Sequence, residues 1–220
     1  MPAIFTDRRG GSSLAPYESF NLARHVGDDP EVVAENRNQL SRIAGNVQFM
    51  NQVHGDSFLV VDKLEAVDPT CDALITTTPG LALAVLVADC VPLLLSSTKV
   101  VAAVHVGRKG LMSSLVLSVI EQMRRLGADS IHAQLGPSIC GRCYEVPTDM
   151  ADEVLNLHPS AFALNREGNP ALDLPRALIT ELVGAGISYE ASGICTLEDQ
   201  LYFSYRRHNI TGRNAGVIWL

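Results

Sequence analysis

Three residues that can bind a metal lie where the sequence pattern predicts the ends of buried strands. His54 lies in the segment NQVHG before a predicted strand, Cys90 follows the apolar run LALAVLVAD, and His105 ends the run VVAAVH. Two imidazoles and a thiolate suit Zn²⁺, and three protein ligands leave one position open for water or substrate. The spacing matches no short zinc motif. Two alternatives therefore stay open: a Cys90 nucleophile with His54 or His105 as its base, and an inert core cysteine.

A basic turn follows His105 directly. The segment Gly107-Arg108-Lys109-Gly110 precedes a helix that the pattern predicts to begin near Leu111. Glycines allow close approach to the backbone, and the first N–H groups of a helix together with two cations favour a small anion. The alternative is a basic turn that is simply solvated. Its position beside a candidate metal ligand favours a phosphate-sized site.

The segment Cys140-Gly-Arg-Cys143 is a C-x-x-C pair with no second pair elsewhere in the sequence. A zinc ribbon requires two such pairs, and a thioredoxin-like redox site requires the first cysteine at the start of a helix. Pro147 disfavours a helix directly after the pair, so redox chemistry is a weak candidate. A second group, Arg206, Arg207 and Arg213 in FSYRRHNITGR, is either an anion-facing loop or a solvated surface.

The composition excludes several classes of protein. The chain has 220 residues, 47% of them hydrophobic, and 17 basic against 24 acidic side chains give a net charge of −7. Such a balance disfavours nucleic-acid polymers as partners, because that binding rests on Lys and Arg neutralising phosphates. No signal peptide or membrane-spanning run is recognisable, so we expect a soluble, cytoplasmic protein. Five cysteines in a reducing compartment are expected to be core residues, metal ligands or nucleophiles rather than a disulfide scaffold.

Helical and extended patterns alternate irregularly along the chain. Asp29 and Pro30 predict the start of a helix that ends at Gly45, and short runs of Val, Leu and Ile between residues 58 and 106 predict strands buried on both faces. Further helices are predicted at 111–126, from about 148 and at 174–183, with strands at 131–135 and 215–220. We predict a single α+β domain over residues 1–220, with a central mixed β-sheet or sandwich flanked by helices. No G-x-G-x-x-G, P-loop or G-x-S-x-G motif is present.

Seven motifs in order carry a resemblance to a known family. They are NLARHVGDDPEVVAENR, NQVHG, CDALITTTPGLALAVLVADCVPLLL, VAAVHVGRKG, GPSICGRCYEV, ICT and FSYRRHNITGR, and they run nearly from end to end. The chain closely resembles the laccase-domain or YfiH-like family, whose members are also called polyphenol oxidases, peptidoglycan-editing factors and purine nucleoside phosphorylases. The resemblance implies an α+β fold like that of cytotoxic necrotising factor and a zinc ion held by His54, Cys90 and His105.

The activity implied by this resemblance is purine-nucleoside chemistry. Adenosine, inosine, guanosine and methylthioadenosine would react with phosphate to give the free base and the sugar 1-phosphate, and adenosine would also be deaminated. The residues expected to carry the chemistry are Asp89, Cys90, Lys109 and Glu145. Those expected to contact nucleoside or phosphate are Asn21, Arg37, Arg108, Lys109, Cys143 and Arg206. Asp89 has an alternative role as a turn cap or ligand-orienting group, and Glu145 as the partner of an arginine.

The chain departs from the family pattern at two motifs. Many members have HAGWRG where this chain has HVGRKG, so Arg108 replaces a Trp and Lys109 an Arg, which keeps the charge but loses the bidentate fork. The common IGPCCYEV becomes ICGRCYEV, with one cysteine kept in register. Copper is less favoured than zinc, because six scattered histidines hardly furnish a multicopper site. Rival hypotheses are a Cys-His hydrolase with a peptidoglycan-editing role, a polyphenol oxidase, and a non-catalytic nucleoside- or metal-binding protein. The protein is expected to be a monomer or a homodimer.

Overall fold

Two β-sheets pack face to face, and helices cover both outer faces. The computed structural model describes residues 1–220. The helices are α1 (Pro30–Ala44), α2 (Arg108–Met112), α3 (Leu115–Arg125), α4 (Thr148–Leu157) and α5 (Leu174–Gly184), with a 3₁₀ turn at Pro159–Ala161. The strands are β1 (Ala3–Phe5), β2 (Asn46–Gln48), β3 (Phe58–Val60), β4 (Ala73–Thr76), β5 (Leu81–Val87), β6 (Val91–Ser96), β7 (Val101–Val106), β8 (His132–Leu135), β9 (Phe162–Leu164), β10 (Pro170–Leu172), β11 (Ser188–Ala191) and β12 (Asn214–Ile218).

Both large sheets are mixed. The smaller has the order β1-β12-β5-β2, the larger has the order β11-β8-β6-β7-β4-β3, and β9 and β10 form a separate hairpin. Three strand pairs are parallel, β2 with β5, β3 with β4 and β8 with β11, and the other pairs are antiparallel. The architecture is the single α+β domain with a sandwich that the sequence predicts.

Alternate residues of the central strands face different layers of the core. Leu83 and Val85 of β5 pack against Leu94 of β6 and Ala103 of β7 between the two sheets. Neighbouring positions point outward: Val104 of β7 belongs to the layer between the larger sheet and helices α2 to α5. Because both faces are covered, β4, β5 and β7 are buried throughout, as predicted. Strand β3 is the exception, since it lies at the edge of its sheet and is partly exposed.

The helix predicted at 111–126 differs from the structure in its start and its continuity. It is divided at Ser113 and Ser114, and Ser114 has a left-handed φ of 57°. The Ser113 hydroxyl donates to the Gly110 carbonyl, which is the kind of local bond that competes with helix continuation. Helix α2 begins at residue 108, and the amide of Leu111 already bonds the Gly107 carbonyl. The amides after Gly110 are therefore not free to bind an anion, contrary to the expectation.

The first helix follows its sequence signals closely. Asp29 is the N-cap and accepts a hydrogen bond from the amide of Glu31, Pro30 begins the helix, and Gly45 ends it with a φ of 77°. Left-handed backbone at this position favours glycine, so the end of the helix is encoded locally. No helix in the structure combines the length and the apolar character that crossing a bilayer requires.

Candidate functional site

A pocket of about 570 Å³ opens where β5, β6 and β7 meet the loops around residues 139–144 and 205–213. It is lined by the loop before β3, the turn between β5 and β6, and the start of α2. Its polar and charged lining residues are His25, Gln52, His54, Asp89, Cys90, His105, Arg108, Lys109, Tyr144, Tyr205, Arg206 and Arg213. All three expected metal ligands thus face one cavity.

The structure brings His54, Cys90 and His105 together although they are far apart in sequence. Their candidate ligand atoms all lie within 4.8 Å of one another. The imidazole rings of His54 and His105 meet edge to face, with centroids 4.6 Å apart and an angle of 84° between planes. Two nitrogens and one sulfur facing an open cavity fit a zinc ion that keeps a position for substrate.

Gly107 gives this cluster its space. A Cβ atom at this position would lie 3.3 Å from Sγ of Cys90 and 3.4 Å from Cδ2 of His54. A larger residue would therefore press on two of the three candidate ligands. The absence of a side chain at Gly107 therefore lets Cys90 and His54 lie close to its backbone. Its φ of −88° is accessible to any residue type, so backbone conformation is not the reason for glycine here.

Asp72 is a candidate site residue that the sequence analysis missed. Its carboxylate is fully buried, lies 2.8 Å from Nδ1 of His105, and accepts hydrogen bonds from the amides of Val53, His54 and Gly55. Burial raises the pKa of this carboxyl, but the hydrogen bonds from His105 and the amides outweigh burial and lower it. A carboxylate on one ring nitrogen fixes the histidine so that the other nitrogen faces the metal. The only sequence signal was an aspartate directly before a buried apolar strand.

The same carboxylate also holds the loop of the first ligand. His54 has a left-handed φ of 56°, which is uncommon for a residue other than glycine. Three consecutive amides donating to Asp72 stabilise this turn and set the direction of the His54 side chain. A single buried aspartate therefore positions two of the three candidate ligands.

Cys90 and His105 form a charge-coupled pair. Burial raises the pKa of the Cys90 thiol, but the charge of His105 and hydrogen bonds from His105 and His54 outweigh burial and lower it to about 6. Burial lowers the pKa of His105, but the charge of Cys90 and the hydrogen bond to Asp72 raise it to about 9. The metal-free pair is thus a thiolate beside an imidazolium, and a thiolate is the form of cysteine that binds metals.

Asp89 lies next to the cysteine ligand in the turn between β5 and β6. It has a left-handed φ of 94°, and its carboxylate accepts hydrogen bonds from the Thr196 hydroxyl at 2.7 Å and the Arg206 amide at 2.6 Å. Strained backbone outside glycine is concentrated at functional sites. Asp89 both joins the turn to the C-terminal loops and presents a carboxylate to the pocket.

Four cationic side chains line the pocket wall. Arg108 and Lys109 come from the basic turn, and Arg206 and Arg213 come from the C-terminal segment. The Arg206 guanidinium lies 5.2 Å from the centre of the Tyr144 ring, and Arg108 is paired with Glu153 at 3.2 Å. All three C-terminal arginines donate to backbone carbonyls: Arg206 to Glu145, Arg213 to Thr211 and Gly212, and Arg207 to residues 196–202. They differ in that Arg206 and Arg213 line the pocket, whereas Arg207 does not.

Four of the expected site residues lie outside this pocket. Asn21 is fully buried and bonds Asp28 and backbone groups, and Arg37 donates to Asp68 and the Leu22 carbonyl. The remaining two are held by neighbours on another face: the Cys143 thiol contacts Glu198, and the Glu145 carboxylate accepts from Asn165. Asn21 and Arg37 use their polar groups within the fold, and neither lines this pocket. His25, Gln52, Tyr144 and Tyr205 line the pocket although the sequence analysis did not assign them to it, and Arg213, which it named only within the basic C-terminal segment, lines it too.

Comparisons with known proteins agree with the fold and the sequence resemblance. Residues 2–220 match the family described as multi-copper polyphenol oxidoreductase laccase. A protein of Corynebacterium glutamicum named purine nucleoside phosphorylase is 46% identical, covering 99% of this chain and 93% of its own. One of the same name from Streptomyces coelicolor is 46% identical over 98% of this chain and 94% of its own.

Solved structures show the same architecture. A Neisseria meningitidis protein superposes with a TM-score of 0.91 at 33% identity, over 99% of this chain and 93% of its own. The hypothetical protein YfiH of Bacillus licheniformis gives a TM-score of 0.91 at 32% identity, over 99% of this chain and 92% of its own. The sandwich with its flanking helices is therefore a shared fold.

Proposed function

Because this chain belongs to the YfiH-like family that the laccase description covers, we propose that it is a zinc-dependent purine nucleoside phosphorylase. Its substrates are adenosine, inosine, guanosine and methylthioadenosine with phosphate, and deamination of adenosine is a side activity. One observation carries the proposal: a single pocket joins the His54, Cys90 and His105 cluster to four cationic side chains. Such a pocket suits a substrate pair that includes a small anion.

Phosphate binding is assigned to the cations of the pocket wall. Lys109 is exposed and has no hydrogen-bonding partner in the fold, so its ammonium group is free to bind an oxyanion, and Arg206 and Arg213 add positive charge from the C-terminal segment. Phosphorolysis forms a bond between a phosphate oxygen and the anomeric carbon while the bond from that carbon to the purine breaks. Holding phosphate in line with that carbon converts a bimolecular attack into an intramolecular one.

The departing purine base needs an aromatic surface to stack on and a proton to neutralise its developing negative charge. Tyr144 and Tyr205 line the pocket and offer aromatic faces for a purine. Asp89 is the carboxylate of the pocket, fixed by Thr196 and the Arg206 amide, and we assign to it the delivery of a proton, taken up from solvent, to purine N7 as the bond from the base to the sugar breaks. Glu145, the other expected proton carrier, faces Asn165 and is left out of this assignment.

The residues His54, Cys90 and His105 would hold the zinc ion. When bound, zinc supplies positive charge that orients and polarises an oxygen of phosphate or substrate. Asp72 maintains the two histidines in their binding orientation. The donor set does not suit a multicopper oxidase, since only two imidazoles converge and no separate imidazole-rich group exists.

The test is chromatography of inosine and adenosine incubated with the protein, with and without phosphate and with and without complete removal of metal. We expect release of free base that requires both phosphate and metal, together with formation of ribose 1-phosphate. Base release that is independent of phosphate, or nucleoside binding without any product, would contradict the proposal. The second result would indicate a binding protein.

A second candidate function is supported by one contact chain in the same pocket. The Cys90 thiolate, His105 and the buried Asp72 form the nucleophile, base and orienting carboxylate of a cysteine hydrolase. Metal binding and thiol attack are mutually exclusive uses of Cys90. Hydrolysis of an amide by metal-free folded protein, abolished by thiol alkylation, would favour this candidate over the phosphorylase.

A further inference from the structure

A second group of metal-binding side chains lies outside the pocket. It consists of Cys140, Cys143, Cys195 and Glu198, whose candidate ligand atoms all lie within 4.8 Å of one another. All three cysteines are free thiols. We propose that these four residues form a structural zinc site, called here the thiol clasp, that ties the loop at 136–146 to the segment at 192–199.

The thiol clasp is built from two matching turns. In the first, the amides of Cys143 and Tyr144 both donate to the Cys140 carbonyl at 3.0 and 3.1 Å. In the second, the amides of Glu198 and Asp199 both donate to the Cys195 carbonyl at 3.2 and 2.9 Å. Each turn therefore presents ligands at its first and fourth residues. Two facing turns of this kind are the framework of a zinc ribbon.

The second turn explains why the sequence showed only one pair. The segment Cys195-Thr-Leu-Glu198 is not a second C-x-x-C motif, because a carboxylate takes the place of its last cysteine. Zinc accepts carboxylate oxygen as well as thiolate sulfur. The ligand set is thus three sulfurs and one oxygen, which fills a tetrahedral site and leaves no position for substrate.

Contacts between the turns hold the four groups together. Ser138 and Cys195 form a parallel β-bridge, and the Cys140 amide donates to Sγ of Cys195 at 3.4 Å. The Cys143 thiol meets Oε1 of Glu198 at 3.4 Å. An amide donating to sulfur stabilises the thiolate form that a metal requires. The geometry is established by backbone pairing, so the ligands converge without further rearrangement of the chain.

Charge around the cluster also fits a bound cation. Three thiolates and one carboxylate carry four negative charges, of which a zinc ion neutralises two. Arg166 forms an ion pair with Glu198, and Arg142 within the first turn adds a further positive charge. A disulfide would join only two of the three thiols and would not explain why the third thiol and the carboxylate lie beside them. A four-ligand metal site accounts for all of them.

The thiol clasp supports the wall of the catalytic pocket. Thr196, inside the second turn, donates its hydroxyl to Asp89 at 2.7 Å, and the amide of Ile139 donates to the Asp89 carbonyl at 2.9 Å. Two of the three anchors of Asp89, Thr196 and Ile139, therefore lie within one residue of a proposed zinc ligand, and the third is the Arg206 amide. Loss of the metal would loosen the segment that fixes Asp89 beside Cys90.

The experiment measures zinc per chain after reduced, full-length protein is incubated with Zn²⁺ and separated from free metal. We expect two zinc ions in the wild type, one in His54→Ala, one in Cys143→Ser, and none in the double variant. Co²⁺ in His54→Ala should give an intense sulfur-to-cobalt absorption that Cys143→Ser reduces. Glu198→Gln should weaken zinc binding at this site by at least about 10-fold, because losing even a residue that only supports a ligand costs about 10- to 100-fold in affinity.

Matched controls make the result decisive. Glu167→Gln changes a neighbouring exposed carboxylate and should leave the zinc content at two. If Cys143→Ser unfolds, Glu198→Gln tests the same site through an exposed side chain. The proposal is overturned if the His54→Ala protein binds no zinc in reduced form, or if Cys143→Ser and Glu198→Gln both bind as tightly as the wild type. Loss of two hydrogens on mild oxidation, with no zinc bound by the reduced form, would identify a redox thiol pair instead.

Discussion

The pocket cluster and the thiol clasp use the same kinds of residues for opposite purposes. The pocket cluster of His54, Cys90 and His105 has three ligands and opens to a cavity with cationic walls. The thiol clasp has four ligands built into two backbone turns, which close the coordination sphere. Open sites of three ligands are typical of catalytic zinc, and closed sites of four are typical of structural zinc. We therefore assign catalysis to the pocket cluster and stabilisation of the fold to the thiol clasp.

Their electrostatic settings differ as well. In the pocket, the charge of His105 lowers the pKa of Cys90, whereas burial and the neighbouring thiol and carboxylate raise the pKa of Cys143. A thiolate that exists without metal is suited to exchange and reaction. Thiols that ionise only when a metal arrives are suited to permanent ligation.

The largest expected effect follows from removing a pocket ligand. Cys90→Ala should lose the pocket metal and lower kcat/KM for inosine phosphorolysis by about 10³-fold, or about 4 kcal/mol of transition-state stabilisation. His208→Ala, which removes an exposed imidazole outside the pocket, should change neither value. Steady-state kinetics and elemental analysis check both. Retained zinc at the pocket in Cys90→Ala would show that the ligand set is misassigned.

The second prediction uses pH to separate the two regions in metal-free protein. Cys90, with its pKa lowered to about 6, should react with iodoacetamide at a rate that rises to half its maximum near pH 6 and then levels off. Cys143, with a raised pKa, should still gain reactivity above pH 8. Peptide mass mapping should show Cys90 modified about 100-fold faster at pH 7. Equal alkylation rates at Cys90 and Cys143 would show that the two thiols do not differ in pKa as expected.

The third prediction concerns the carboxylate behind the pocket ligands. Asp72→Asn should weaken zinc binding at the pocket by about 10- to 100-fold, because the orienting partner of His105 loses its charge. Asp129→Asn, at an exposed loop, is the matched control. Zinc titration against a chelating dye distinguishes them. An unchanged affinity in Asp72→Asn would leave Asp72 with a role in folding only.

Asp72 also gives a pH dependence of stability with a definite sign. Its pKa is lower in the folded protein than the ordinary value of 3.8, so its stabilisation is complete above that value and is lost as pH falls through the folded pKa. The wild type should exceed Asp72→Asn in free energy of unfolding by about 1–3 kcal/mol near pH 7, and the difference should shrink below about pH 4. Urea unfolding at several pH values measures it.

The smallest effect is expected for phosphate recognition in the pocket. Lys109→Gln should raise the KM for phosphate by about 10-fold, equivalent to about 1.4 kcal/mol for one charge-assisted hydrogen bond, with the zinc content unchanged. Lys99→Gln, an exposed lysine remote from the pocket, should have no effect. Kinetics at varied phosphate and saturating inosine decide the matter. An unchanged KM would transfer phosphate binding to Arg206 and Arg213.

The sequence predicted the elements better than the contacts between them. Helix α1 lies where Asp29, Pro30 and Gly45 predict it, because caps act over three or four residues. The helix expected at 111–126 is divided at Ser113 and Ser114 into α2, whose first residue Arg108 lines the pocket, and α3, which packs on the sheet. Such a break depends on tertiary packing and leaves only the weak signal of two serines.

The site residues also divide into those that the sequence indicates and those that only the tertiary structure reveals. His54, Cys90 and His105 were recognisable from residue type and motif order, and the structure places them together. Asp72 was missed, because a lone aspartate ahead of a strand has no distinctive pattern. Conversely, Asn21 and Arg37 lie in a recognisable motif, yet their side chains bond within the fold.

By itself, the sequence determined the α+β class, the capped helices, the buried strands and the family motifs with their candidate metal ligands. Only the tertiary structure decided which distant residues meet. Antiparallel pairing of β4 with β7 sets Ala73 opposite Val104, which brings Asp72 to His105, and the bridge between Ser138 and Cys195 assembles the thiol clasp. Local signals act through a few neighbouring residues, whereas strand register is fixed by burial across the whole sandwich.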